Sequence, residues 1–66
     1  MNRTERFYRI EQLLHERQVV HVNTFLEELG VSLATFKRDL DYLRDRFHVP
    51  IQWDAKARGY RLQTVD

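Results

Sequence analysis

The sequence predicts an α+β fold that is mainly α: three helices followed by a small antiparallel C-terminal β-hairpin. Two patterns and one turn predict it. Through the first part of the chain apolar residues recur in steps of three and four, the mark of amphipathic helices. After His48 the alternation changes to every second residue, the mark of strands. Between the second and third helical stretches stands Gly30-Val31-Ser32, a turn glycine followed by a good capping serine, as in two helices joined by a short turn.

The first helix is expected from about Arg3 to Arg17. Asn2 can cap it, with Glu5 three residues on as in a capping box. Phe7, Ile10, Leu13 and Leu14 form its apolar stripe, with Tyr8 at the edge. Val19, Val20 and Val22 are β-branched and favour a short strand or an extended link, which could pair with the hairpin. Asn23 is the expected cap of the second helix, Thr24 to Leu29, whose Phe25, Leu26 and Leu29 face inward. Gly30 can end that helix in a left-handed conformation, and Val31 plugs the turn into the core. Ser32 caps the third helix, which runs to about Phe47 with Leu33, Phe36, Leu40, Leu43 and Phe47 as its stripe.

In the tail, Ile51 and Trp53 point to one face, matched by Tyr60 and Leu62, while Gln52, Asp54, Arg61 and Gln63 point to the other. That phase assigns Trp53 to the core. The intervening DAKARG is a polar turn in which Gly59 can take a positive φ. Pro50 cannot donate to a ladder and belongs at a strand start or edge. A lone hairpin cannot bury its face, so it needs the helices to pack against.

The bulk numbers bound the function. With 66 residues the chain holds one small domain, and 42% hydrophobic content is enough for a modest core. No cysteine is present, which excludes disulfides and thiolate metal sites. The N-terminus is too charged for a signal peptide and no apolar run is long enough to span a membrane. A cytoplasmic protein without membrane association is expected. Net charge is only +1, but its distribution is uneven. Residues 1–30 carry four Arg against five Glu, and residues 31–66 carry seven Lys or Arg against five Asp. Nine of the eleven basic residues are Arg, the side chain suited to bidentate recognition.

The run LEELGVSLATFKRDLDYLRDRF resembles the helix-turn-helix of DeoR-type winged-helix repressors. It is most similar to the N-terminal DNA-binding domains of WYL-domain transcriptional regulators. The residues that carry the likeness are Gly30, Val31, Ser32, Thr35, Phe36, Arg38, Asp39 and Leu40, followed by PIQWDAKARGYRL as strand, basic turn and strand. The likeness spans about Arg6 to Leu62. It implies a winged helix-turn-helix, with the helix-turn-helix at about 23–47 and the wing at about 50–63. It also implies a bacterial transcription regulator or repressor that binds double-stranded DNA, with a homodimer formed in the full-length protein. Regulators of this type continue into a larger sensing region, so this chain is expected to be one DNA-binding domain of a longer protein. One departure concerns Leu26, four residues before the turn glycine, where the family usually has a small residue. The bulkier side chain should shift the helix crossing or be absorbed by its neighbours.

With the third helix at about 100° per residue and Phe36, Leu40, Leu43 and Phe47 inward, Ala34, Arg38, Asp41 and Asp45 point directly away from the core. Thr35 and Tyr42 flank one side and Lys37 the other. A recognition helix presents its first two turns to the major groove. Arg38 fits guanine O6 and N7, or else touches phosphate or pairs with Asp41 or Asp45. Thr35 offers a hydroxyl to phosphate and a methyl to thymine, or is a solvated helix residue. Ser32 caps the helix and its hydroxyl can also meet phosphate. Lys37 is expected as a phosphate contact. Tyr42 reaches phosphate or covers the core edge. Asp39, at the core boundary, is expected in a structural ion pair or internal hydrogen bond. At the wing, Lys56 and Arg58 are expected on the backbone or the minor groove, unless they only keep the turn soluble. Arg61 can join that basic strip. In the first helix Arg3, Arg6 and Arg9 can touch flanking phosphate, but Glu5 and Glu11 dilute their charge and a solvated face is expected. The candidate DNA-binding residues are therefore Ser32, Ala34, Thr35, Lys37, Arg38, Tyr42, Lys56 and Arg58.

Nothing in the sequence points to catalysis. His15, His21 and His48 are scattered without metal-ligand spacing, and no phosphate-binding glycine motif occurs. No enzyme activity, cofactor or small-molecule ligand is expected of this domain. The alternative function is a winged helix that binds protein partners, because Asp41, Asp45 and the low net charge dilute the basic face.

Overall fold

The computed structural model describes residues 1–63; residues 64–66, the end of the expected domain, lie outside the described residues. The order is α1 (Arg3–Glu16), β1 (Val20–His21), α2 (Val22–Leu29), α3 (Leu33–Arg46), β2 (Ile51–Asp54) and β3 (Gly59–Leu62). The strands form one antiparallel sheet in the order β1-β3-β2. Three helices and a hairpin thus build the expected α+β winged helix-turn-helix, and the valine-rich link is the third strand.

Each helix begins on a side-chain cap. Asn2 Oδ1 accepts the N–H of Glu5 at 2.8 Å, and Ser32 Oγ accepts that of Thr35 at 3.3 Å. The cap of α2 is a correction: it is His21, not Asn23, and the helix starts at Val22. β1 delivers His21 in extended conformation, and its Nδ1 accepts the N–H of Asn23 at 3.1 Å. Val22 occupies the first helical position, where its β-branch meets no preceding turn. Gly30 ends α2 with φ 64, a left-handed residue as expected, and its N–H bonds to the Leu26 carbonyl at 2.9 Å. α3 ends at Arg46, and His48 takes φ 55 so that the Val49 N–H returns to the Leu43 carbonyl at 3.1 Å.

The core gathers Ile10, Leu13 and Leu14 of α1, Phe25 and Leu29 of α2, and Phe36, Leu40 and Leu43 of α3, with Val20, Ile51 and Tyr60 from the sheet. Phe25 and Phe36 stack at 4.8 Å between ring centres, and Tyr60 meets them edge-on at 6.4 and 5.7 Å. Burying such a side chain contributes about 1.5–3 kcal/mol, against about 0–1 kcal/mol for a surface ion pair. The aromatic junction of α2, α3 and wing is therefore what fixes their arrangement. Leu26 is partly buried and packs on the edge of this cluster, so its neighbours accommodate the larger side chain.

The ends of the α3 stripe differ from expectation. Leu33 is 46% exposed and Phe47 59% exposed, because the helix is longer than the core beneath it. Phe47 instead meets Phe7 edge-on at 6.2 Å.

In the hairpin, Ile51 pairs with Leu62 and Trp53 with Tyr60, so the face assignment holds. The burial assigned to Trp53 does not: it is 47% exposed, its ring 5.0 Å from Tyr60 at the rim of the core. Gly59 needs a second correction. The positive φ of the turn falls on Arg58 (φ 51). Gly59 is required for closeness instead. A Cβ there would overlap the Val20 carbonyl oxygen and lie 2.9 Å from His21 Cα. β1 can pair alongside β3 at this point only against a bare backbone. Pro50 stands directly before β2, an edge strand, and its carbonyl accepts the Gln63 N–H at 2.7 Å.

Candidate nucleic-acid interface

The turn and its two caps determine how α3 is presented. With α2 closed at Gly30 and α3 opened at Ser32, the first two turns of α3 emerge with Ser32, Ala34, Lys37 and Arg38 exposed and Thr35 half-buried. The Ser32 hydroxyl donates to Thr35 Oγ1 at 3.2 Å. Its proton is engaged within the cap, and the Thr35 hydroxyl is the one left to donate outward.

α3 lies between two surface depressions. On its α1 side, Thr35, Arg38, Asp39 and Tyr42 face Arg3, Arg6 and Phe7 across a depression of about 240 Å³. On its wing side, Leu33 and Lys37 face Val22, Trp53 and Tyr60 across one of about 330 Å³. The candidates on α3 therefore divide: Thr35, Arg38 and Tyr42 on one flank, Lys37 on the other. Lys56 and Arg58 line neither depression and stand apart on the wing loop.

Charge pairing decides which cations remain available. Arg6 holds Asp39 in a two-point contact, Nε to Oδ2 at 2.7 Å and Nη2 to Oδ1 at 3.3 Å. Asp39 is buried, so this is the structural ion pair expected of it. The hydrogen bond to Asp39 raises the Arg6 guanidinium above the ordinary arginine value, against the opposing effect of desolvation. Arg9 reaches Gln12 at 3.0 Å and Glu28 at 3.2 Å. The solvated face expected of these first-helix arginines is thus corrected: Arg6 and Arg9 are structural ties from α1 to α3 and α2. Asp41 pairs with Arg44 at 3.2 Å and Asp54 with Arg61 at 3.7 Å. Arg61 is accordingly engaged within the hairpin. Among the described residues Arg38, Lys37, Lys56 and Arg58 have no carboxylate partner.

The wing loop is braced from inside. Asp54 Oδ1 accepts the N–H groups of Lys56 and Ala57 at 3.0 and 3.1 Å. The Arg58 carbonyl accepts the Val22 N–H at 3.1 Å, tying the loop to the start of α2. Both basic side chains are exposed on this fixed loop.

Two further cations belong to this flank: Arg3, for which the sequence leaves a flanking phosphate contact open, and Arg46, which it does not single out. Arg3 and Arg46 both lie over the Tyr42 ring, with guanidinium carbons 4.9 and 5.6 Å from its centre. Arg46 stands four residues after Tyr42, a spacing that brings helix side chains together and could have found it. The approach of Arg3 depends on how α1 crosses α3, which no local pattern discloses.

The arrangement offers guanidinium, ammonium and hydroxyl groups along an exposed helix and loop, the chemistry that suits a phosphodiester backbone and base edges. Among the described residues no three His, Cys, Asp or Glu side chains are grouped to hold a metal ion. No described helix is long and apolar enough to cross a membrane. The family model of the DeoR-like helix-turn-helix domain matches residues 6–48. No curated protein and no solved structure matches the chain.

Proposed function

Because the chain belongs to the DeoR-like helix-turn-helix family, a DNA-binding domain family, we propose that it binds double-stranded DNA sequence-specifically as the reading domain of a transcriptional regulator. α3 enters the major groove with Thr35 and Arg38 toward base edges, Lys37 and Tyr42 toward phosphate, Ser32 at phosphate through the amides of the helix start it caps, and Ala34 against the groove floor. Lys56 and Arg58 place the wing on the backbone or in the minor groove. The observation that carries this reading is Arg38: exposed on the second turn of α3, with no carboxylate partner among the described residues although Asp41 and Asp45 stand on the same helix. The 66 residues act as one domain of a longer, dimeric regulator of the WYL type, in line with the turn and wing residues that resemble that family.

Selection from a random duplex pool, followed by binding of two variants, tests the reading. Arg38→Ala should relax preference at one base position by about 1–3 kcal/mol, whereas Lys56→Ala should weaken all sequences alike and reduce the salt slope by about 1. If both variants bind selected and random duplexes as the parent does, the reading is wrong. The half-exposed Leu33 and Trp53 support a second reading, a surface for a protein partner. A duplex affinity that does not respond to salt would favour that one.

A further inference from the structure

Arg3 and Arg46 come from opposite ends of two different helices yet converge on one aromatic ring. Tyr42 is stacked on Phe7 at 5.3 Å, so its plane is fixed from beneath by α1. Arg3 lies over both rings, 4.9 Å from the centre of Tyr42 and 5.8 Å from that of Phe7. Arg46 approaches Tyr42 at 5.6 Å. Both arginines are exposed, and neither has a carboxylate partner among the described residues. Two exposed guanidinium groups gathered at one ring concentrate positive charge on this face. A bound anion would be attracted to it.

The surroundings say which face this is. Arg3 and Tyr42 line the same depression as Thr35 and Arg38. The third arginine there, Arg6, has its charge engaged by Asp39 and acts as the fastening of that wall. The free cations on this flank are thus Arg38 on the second turn of α3, Arg46 on its last, and Arg3 of α1 at Tyr42. On the opposite flank stand Lys37 and, beyond it, the wing.

We propose that Arg3 and Arg46, held over Tyr42, form a phosphate-binding ledge on the α1 side of α3, which contacts the DNA strand opposite the one touched by the wing. This rests on the DNA-binding reading above and adds a second backbone track to it. Tyr42 is a positioning residue in this ledge: its ring, rather than its hydroxyl, sets where the two guanidinium groups lie.

Binding of the 66-residue chain to a mixed-sequence duplex across a salt series tests the ledge. Each phosphate contact contributes about 0.9 to the slope of log affinity against log salt. Arg3→Ala and Arg46→Ala should each lower that slope by about 1. Between about 50 and about 200 mM salt each variant should then lose about threefold less affinity than the parent. Tyr42→Leu removes the ring beneath both guanidinium groups and should lower the slope as the Ala variants do, and thermal midpoints show whether the variants stay folded. Arg17→Ala is the control for mere net charge, because Arg17 lies about 20 Å from Arg3 at the other end of α1. Its slope should match the parent's.

Parent slopes in both Arg3→Ala and Arg46→Ala, with a reduced slope in Lys56→Ala, would overturn the ledge and leave the DNA reading standing. An Arg17→Ala slope as low as that of Arg3→Ala would also overturn it, since charge alone would then explain the effect. A parent chain without salt-dependent duplex binding would overturn the ledge together with the reading it rests on.

Discussion

The two flanks of α3 are joined to the rest of the molecule in different ways. On the α1 side the joint is made by side chains: Arg6 grips the buried Asp39 and Phe7 stacks on Tyr42. On the wing side the nearest joint is made by backbone: Gly59 passes against Val20 without a side chain, and the Arg58 carbonyl holds the Val22 N–H. The difference bears on how each flank responds to change. A side-chain joint can be exchanged for another pair of matching groups. A backbone joint tolerates no added atom, whatever its chemistry.

Gly59→Ala should have the largest effect. The new methyl has no space beside the Val20 carbonyl, so β1 and β3 must part, at about 3 kcal/mol. Gly30→Ala is the internal comparison: its φ is also unfavourable, but nothing lies within 4 Å of the added Cβ, and about 1 kcal/mol is expected. Urea denaturation of both variants gives the order, and equal losses would show that the wing joint is not a steric one.

Next in size is the side-chain joint. Arg6→Met should lower the urea midpoint because it strands a buried carboxylate at Asp39. The double variant Arg6→Met with Asp39→Leu should recover part of that loss, as no charge is then left inside. A double variant less stable than Arg6→Met alone would show that the flank depends on this pair and not on matched chemistry.

The smallest effect is expected at the wing loop. Arg58→Gly relieves a positive φ in a residue with a Cβ and should raise stability by about 1 kcal/mol, while weakening duplex binding through the lost cation. A variant no more stable than the parent would mean that the loop carries no strain at Arg58.

These joints also mark where sequence reasoning succeeds and where it stops. The helices apart from the start and cap of α2, the Gly30 turn, the Ser32 cap and the strand pairing are local or periodic features legible in the residues. The wheel placed Asp39 at the core boundary and so led to its ion pair. Three assignments failed because they depend on neighbours distant in sequence. Gly59 was assigned to a turn because a positive φ is the common reason for glycine there, while the actual reason, Val20, lies 39 residues away by the numbering. Trp53 has the phase of a core residue, but phase gives the face and not how far the core extends beneath it. Arg6 and Arg9 share a wet stripe with Arg3 in the sequence, and only laying α1 against α3 and α2 shows that these two are paired while Arg3 stays exposed.

The bond from Val22 to Arg58 has a consequence for measurement. The first amides of a helix have no acceptor within it, so the Val22 N–H would exchange freely with solvent if the wing loop were detached. Its only described acceptor is the Arg58 carbonyl. Deuterium uptake at this one amide therefore follows the opening of the wing, whereas the amides around Leu13 or Leu40 require larger unfolding. A duplex that grips the wing should slow exchange at Val22 beyond the protection it gives α1, making a single resonance a gauge of wing docking.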